Sequence, residues 1–501
     1  MNRRFKQDYL LLGSLIIIAL ILRVGMAVKF PNIFWADEIF QTLEPAHRLA
    51  FGNGIVTWEF RDGIRSWVLP GILAGVMRLT AWMGEGSTGY LIGVNLFLSL
   101  LSLSNILVAY VWGKKIGGTI TAFICAAICT VWFEIIYFSP KAFTEVVATH
   151  FLLPGLYLGV EPQSFSSRDR LLLSGCLLGT SIALRFHFIP AIAFAVVYIC
   201  RQDWDNKWLP MMLGILAPIL LFGTVDAFSW TYPFQSFWLN VWVNIVEGRS
   251  KIYGVSPWYE YFIFFLKSWS WLSLPMIIFA MIGFRRLPIL GWVALIIILS
   301  HSFLGHKEYR FIYPALPMLL ILAGIGTGEL VVKFSLKFSR RWDSLQIKII
   351  AISLSLILWT SASISLLTRF NIYAPLSFST FGTNLQMTHL YATANHLLAL
   401  QSLSTEKNVC GLGLWGVNWA LSGGYTYFHR DVPIYQIDTK KDFQLLNSGF
   451  NYVVGNLPLP SAYQNYSLQK CWQGTCVYKR PGSCSQIKNR DINSFLKKSG
   501  N

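Results

Sequence analysis

Apolar residues fall in runs that recur along most of the chain. Runs of about bilayer-crossing length, near 20 residues for a helix, lie at 9–28, 89–113, 116–138, 144–160, 208–227, 259–283, 287–303, 311–331 and 347–368. Residues 171–200, LLLSGCLLGTSIALRFHFIPAIAFAVVYIC, are also apolar but are broken by Arg185, His187 and Pro190, so they predict two shorter helices meeting at a polar tip. Counting that pair as two predicts about eleven crossings. Residues 67–83 carry Pro70 and Arg78 and predict an amphipathic helix lying on a membrane surface. Beyond residue 368 the pattern changes. GLGLWGVNWALSGGYTYFHRDVPIYQID and NYVVGNLPLP read as strands and turns, with a helical pattern over 388–402. The pattern therefore predicts an α-helical polytopic membrane domain at 1–368, with an outer loop and juxtamembrane helices at 29–88, followed by a small extracytoplasmic α/β domain at 369–501.

Composition agrees with that division. Of 501 residues, 54% are hydrophobic and only 13% charged, with a mean hydropathy of +0.49, which belongs to a polytopic membrane protein. A net charge of +17 in a soluble protein would point to nucleic acid, but here Lys and Arg sit between apolar runs, as cytoplasmic loops do, and no nucleic-acid partner is expected. The basic head and long apolar run at the N-terminus predict a retained first helix. With Arg3, Arg4 and Lys6 inside, the pairs Lys114 and Lys115, Arg168 and Arg170, Arg201 and Lys207, Arg285 and Arg286, and the cluster Lys333, Lys337, Arg340 and Arg341 fall on the same side. The outer side then receives the Asp37 loop, the Lys141 turn, the Arg185 tip, the loop 228–260, the turn HKEYR at 306–310, and the tail. The lack of an internal repeat of fixed period speaks against a repeat-built transporter.

Four cysteines, Cys125, Cys129, Cys176 and Cys200, lie in apolar runs and read as small core residues. Cys410, Cys471, Cys476 and Cys484 lie in the tail, where three pairings into two disulfides are open and zinc is a competing reading.

Several polar groups are placed where chemistry is possible. Asp37 and Glu38 follow the first apolar run; a carboxylate in a partly dry cleft can serve as general base toward a hydroxyl, and a solvated loop acid is the plain alternative. Glu44 and His47 share a helix face, which fits a local Glu–His hydrogen bond better than half a metal site. His306, Lys307 and Arg310 crowd donors into one turn before an apolar run, a clamp suited to phosphate at headgroup level, with Glu308 holding one of the cations; interfacial anchoring, with Tyr309 and Tyr313 in an aromatic belt, is the alternative. Arg185 is either a site residue or the ion-pair partner of a buried acid such as Glu134 or Asp226. Lys141, Thr144 and Glu145 fit either a site or an ordinary helix start after Ser139 and Pro140. In the loop 228–260, aromatic residues interleave with Asn240, Asn244, Arg249 and Lys251, a mixture suited to sugar stacking and to lipid contact.

At WADEIFQTLEPAHRLAFGNGIVTWEF (35–60), RSWVLPG (65–71), IYGVSPWYEY (252–261) and above all HKEYRFIYPALP (306–317), the sequence resembles the lipid-linked α-mannosyltransferases of glycosyltransferase family 22, which include the GPI-anchor and asparagine-linked-glycan enzymes. Weaker likeness runs through FSPKAFTE and GGYTYFHRDVPIY. The resemblance implies a C-type glycosyltransferase (GT-C) fold and an inverting transfer of mannose from a polyprenyl- or dolichyl-phosphate carrier to a glycan or glycolipid hydroxyl. It places the essential acid at Asp37 with Glu38 beside it, the donor phosphate on His306, Lys307, Arg310 and Arg185, and site-shaping roles on Glu308, Tyr313, Lys141, Glu145, His47, Trp58, Glu59, Tyr253 and Trp258. At Lys141 relatives often carry arginine. No metal or other cofactor is expected, because three cationic donors suffice for a monophosphate leaving group. The tail shows no endoplasmic-reticulum retention signal, which favours a bacterial plasma membrane over the endoplasmic reticulum. Transfer of an arabinose-type sugar from the same kind of carrier, and a lipid or polysaccharide transporter, are the rival functions.

Overall fold

The structure, a computed structural model, describes residues 3–33, 35–160, 167–338, 344–369, 394–456, 458–459, 465–485 and 487–499. Its contacts group into two compact units. Unit 1 comprises Met1–Met26, Leu98–Thr224 and Val241–Tyr391; unit 2 comprises Ala27–Phe97, Val225–Asn240 and Ala392–Asn501. Unit 2 thus joins the tail to the loop region 27–97, which the hydropathy pattern had grouped with the membrane part.

Unit 1 is helical. Among the described residues, six helices are long and apolar enough to cross a membrane, and four shorter apolar helices include Thr144–Val160, Phe186–Cys200 and Pro288–Ser302. The breaks between them follow local chemistry. The long helix Thr88–Val131 is interrupted at Gly118, whose φ of 75° and ψ of −170° lie outside the helical region; a glycine tolerates this because it has no Cβ. Helices Ser167–Leu184 and Ile189–Cys200 meet at Arg185, as the interruption by Arg185, His187 and Pro190 predicts. Pro190 and Pro288 sit in the first turns of their helices, where the missing N–H costs no intrahelical bond.

In unit 2, the helix Val68–Thr80 buries Leu69, Pro70, Leu73, Ala74 and Met77, the three-to-four-residue spacing of an amphipathic helix, and exposes Ile72 and Leu79. The tail contains a five-stranded mixed sheet of β1 (Leu412–Trp415), β2 (Ile434–Ile437), β3 (Tyr452–Gly455), β4 (Ser467–Trp472) and β5 (Thr475–Lys479), in the order β2-β1-β3-β5-β4. The first three strands are parallel and fully buried, as continuous apolar strands covered on both faces are; the β4–β5 hairpin adds antiparallel to β3. Trp415, Tyr435, Ile437, Phe443, Phe450, Val453 and Tyr466 form the core beside the sheet. The helical segment expected at 388–402 appears as Asn395–Leu403; its first part lies outside the described residues. The four tail cysteines form two disulfides, Cys410–Cys484 and Cys471–Cys476.

Candidate functional site

In unit 1 the segment between helices Pro288–Ser302 and Ala315–Phe338 is not helical until a short tight turn at Tyr309–Ile312. Extended backbone at Glu308 sends alternate side chains to opposite sides. His306 and Glu308 accordingly meet, with Nε2 at 3.0 Å from Oε1. Lys307 takes a different direction and donates from Nζ to the carbonyls of Ser256, at 3.1 Å, and Leu304.

The charges alternate through this region. His306 faces acceptors at both ring nitrogens, the Gly254 carbonyl at 3.1 Å and the Glu308 carboxylate, so the imidazolium is the form that satisfies both. Burial works against that charge, but Glu308 and the Gly254 carbonyl raise the pKa of His306 above its ordinary value. Burial likewise opposes the Glu308 carboxylate, and Arg310 and His306 nevertheless hold it well below the usual range. Arg310 donates from Nε to Glu308 at 2.5 Å and from a terminal nitrogen to Glu145 at 2.8 Å. Glu145 also lies 4.0 Å from Nε of Arg185. Together with Lys307, these six side chains comprise four cations and two carboxylates, a surplus of positive charge.

Glu308 therefore holds two cations where the sequence predicted one. Arg185 pairs with Glu145, and not with Glu134 or Asp226 as weighed from the sequence. Asp226, in unit 2, accepts instead from the backbone and hydroxyl of Ser236. Glu145 stands in the first turn of its helix, but its role is ionic as well as local: Thr144 also donates to it at 3.0 Å.

Two features of this assembly go beyond the sequence reading: the ring of Phe311, and the partners of Glu134, which that reading weighs only as an acid for Arg185. Phe311 carries Arg310 over its ring at 4.7 Å and Arg185 at 5.0 Å, with the His306 ring centroid 5.9 Å away; cations over an aromatic face are attracted by its quadrupole. Glu134, fully buried, accepts from the indoles of Trp132 at 2.8 Å and Trp269 at 3.0 Å and from the hydroxyl of Tyr309. It anchors the turn through the residue next to Glu308. The available signal was an acid inside an apolar run.

Of the remaining expected residues of unit 1, Tyr253 reaches the turn. Tyr313 is buried with its ring 5.0 Å from that of Phe138, and Lys141 is buried with Nζ 5.3 Å from the Tyr137 ring centroid. Tyr253 is half exposed and lies 6.1 Å from the His306 ring. Trp258 is exposed and packs edge-on with Tyr259 and Phe262.

In unit 2, Asp37 is half-buried at the start of a helical segment and Glu38 is buried beside it. The helix widens over Ile39–Leu43 before continuing as Glu44–Phe51, a local distortion often found at functional sites. Glu44 and His47 share a face, as predicted, but do not bond to each other. Glu44 accepts from the backbone N–H groups of Ile55, Tyr425 and Thr426 and from the Thr426 hydroxyl. Burial raises its pKa against those four donors. His47 reaches the Asn53 carbonyl at 2.8 Å and Nδ1 of His429 at 2.9 Å, and burial pushes its pKa down to about 4. Both residues tie the loop to the tail. Trp58 is buried, and Glu59 accepts from Gln41 at 3.0 Å and from Arg65 at 2.6 Å. Among the described residues, no group of three His, Cys, Asp or Glu is arranged to hold a metal ion.

The fold is shared with ArnT from Cupriavidus metallidurans, solved bound to undecaprenyl phosphate: the TM-score is 0.59 with 11% identity, over 95% of this chain and 99% of that one. The apo form of the same protein gives 0.56. This defines the class: a polytopic helical membrane protein of the GT-C fold. The model of the Alg9-like mannosyltransferase family matches residues 14–417, and the chain belongs to that family. It is similar to GPI alpha-1,2-mannosyltransferase 3 of Bos taurus, 26% identical over 63% of this chain, and to GPI mannosyltransferase 3 of Debaryomyces hansenii, 24% identical over 64%. The chain spans 59% and 60% of the length of these curated relatives. Both relatives are eukaryotic, and they lend no support to the expected bacterial membrane.

Proposed function

We propose that the chain is an inverting mannosyltransferase that moves mannose from a polyprenyl- or dolichyl-phosphate carrier to a hydroxyl of a glycan or glycolipid acceptor, on the luminal or other non-cytoplasmic face of a membrane. The observation that carries this reading is the surplus of positive charge around Glu308 and Glu145. A carrier phosphodiester has one negative charge, and the monoester released by transfer approaches two. Fixed cations in a site poor in water stabilise the charge that grows on the departing oxygen, with no reorganisation at the moment of reaction. Family membership and a shared fold with a protein solved with undecaprenyl phosphate support the choice of carrier.

Asp37 takes the proton of the acceptor hydroxyl, and the oxygen attacks the anomeric carbon opposite the phosphate. The bond from that carbon to the phosphate oxygen breaks, and the electron pair leaves with the phosphate, where Lys307, His306 and Arg310 receive the charge. Arg185 reinforces the cluster through Glu145. No metal is required for this step in our reading, and transfer is expected to survive chelation.

The test supplies purified protein with radiolabelled polyprenyl-phosphate mannose and membrane glycolipids, with native protein compared against Asp37→Asn and Lys307→Ala. Both variants are expected to lose product, with donor binding weakened chiefly in the second. Product formation by Asp37→Asn at the native rate would remove the assigned base. Preference for an arabinose-type carrier in direct competition would replace mannose as the donor sugar. Movement of lipid between leaflets without a glycosidic product would favour a transporter.

A further inference from the structure

His301, in the last turn of the helix Pro288–Ser302, is 1% exposed. Its Nδ1 lies 2.8 Å from the carbonyl of Ile297. A carbonyl only accepts, so the hydrogen stands on Nδ1, and in the neutral ring Nε2 carries the lone pair. Among the described residues, Nε2 has no hydrogen-bond partner. Buried acceptors are rarely left in that state, and those that are call for a specific explanation.

The surroundings supply one. The His301 ring lies 5.7 Å from that of His187 and 6.4 Å from that of Phe311, the ring that also carries Arg185 and Arg310. Arg185 and Glu145 both act on His301 electrostatically. The His301 ring thus borders the cationic assembly without being part of it. A phosphate oxygen and a lone pair repel one another, whereas a hydroxyl donates to it. A sugar attached to a phosphate held by that assembly carries several hydroxyls, each able to donate to such a lone pair.

We propose that Nε2 of His301 accepts a hydrogen bond from one hydroxyl of the sugar carried on the lipid phosphate, which makes His301 a residue that selects the donor sugar. This rests on the transfer reaction proposed above. Sites built to pair a substrate hydroxyl discriminate strongly against analogues that lack it, because a buried group is then left without its partner.

The experiment uses full-length protein in lipid nanodiscs and a set of polyprenyl-phosphate donors: mannose, and mannose lacking each ring hydroxyl in turn. Native protein is compared with His301→Leu and with His301→Gln, whose amide oxygen restores an acceptor. On the mannose donor, His301→Leu is expected to lower kcat/KM by about 10- to 100-fold, and His301→Gln to recover part of the loss. On one deoxy donor, native protein and His301→Leu are expected to be equal within about threefold, the non-additivity of a shared contact. Inhibition by polyprenyl phosphate without sugar should not change. The ratio between donors within one variant is insensitive to loss of folded protein. An equal loss on every donor, a parallel loss of affinity for the sugar-free lipid phosphate, or no loss at all would overturn the proposal. Failure of the parent reading shows itself separately, as native protein that makes no product from any mannose carrier, and it takes this proposal with it.

Discussion

Arg310 and Glu145 meet at 2.8 Å across 165 residues of sequence, with side-chain exposures of 3% and 0%. Glu145 also reaches toward Arg185 and thereby links the turn at 306–310 to the break between two short helices. An enclosed carboxylate between two guanidinium groups balances charges that the protein interior cannot hold alone.

Glu145→Gln removes that balance while keeping the shape. Loss of one partner from a buried ion pair costs about 3–5 kcal/mol, because the other charge is left uncompensated. The expected outcome is a lower thermal-inactivation midpoint in lipid, together with weaker donor binding. A midpoint equal to that of native protein would show that the pair does not hold the turn.

The pairing of His306 with Glu308 makes stability depend on pH in two directions. His306 has a folded pKa above the ordinary 6.5, so its contribution is complete below that value and is lost as pH rises through the folded one. Glu308 has a folded pKa below the ordinary 4.5, so its contribution is present above that value and is lost as pH falls toward the folded one. Thermal-inactivation midpoints measured across pH should decline on both limbs. In His306→Gln the alkaline decline should flatten, and persistence of the native profile in that variant would assign the limb to another group.

Gly424 has a φ of +57°, and a Cβ built there would stand 2.6 Å from a carboxylate oxygen of Glu44. Gly424→Ala therefore strains the backbone and displaces the acceptor that holds Tyr425 and Thr426. A loss of about 2 kcal/mol or more is expected, visible as faster proteolysis of the tail. Proteolysis at the native rate would show that the Glu44 contact is dispensable.

The two disulfides close loops of very different size, with sequence separations of 74 and 5. In the chain-entropy account a longer closed loop removes more freedom from the unfolded chain. Replacing Cys410 and Cys484 by serine should cost about 2–4 kcal/mol and exceed the effect of replacing Cys471 and Cys476. Calorimetry or denaturant titration of the variants decides this, and the reverse order would point to native-state strain instead.

Much of the architecture is legible along the chain because lipid and local sterics impose it residue by residue. The apolar runs, the polar interruption at Arg185 and the change to strands in the tail all depend on neighbours within a few turns. The turn at 306–310 is legible for the same reason, since its donors fall within five residues. From the residues alone Glu145 fits either a site or a helix start, and Glu44 reads as a local partner of His47. Their actual partners, Arg310 and Thr426, lie 165 and 382 residues away. His301 is one polar residue at the end of an apolar run, and its tautomer is set by a contact with the Ile297 carbonyl that the run alone does not specify.

Solvation and hydropathy act on each stretch separately, so the helical membrane class, the acidic loop, the cationic turn and the cysteine-bearing tail can all be read along the chain. Which carboxylate faces which cation, which cysteines join, and where a lone pair is left over emerge from the folded arrangement. Those outcomes depend on groups brought together by packing from distant parts of the chain, and local composition carries no record of them.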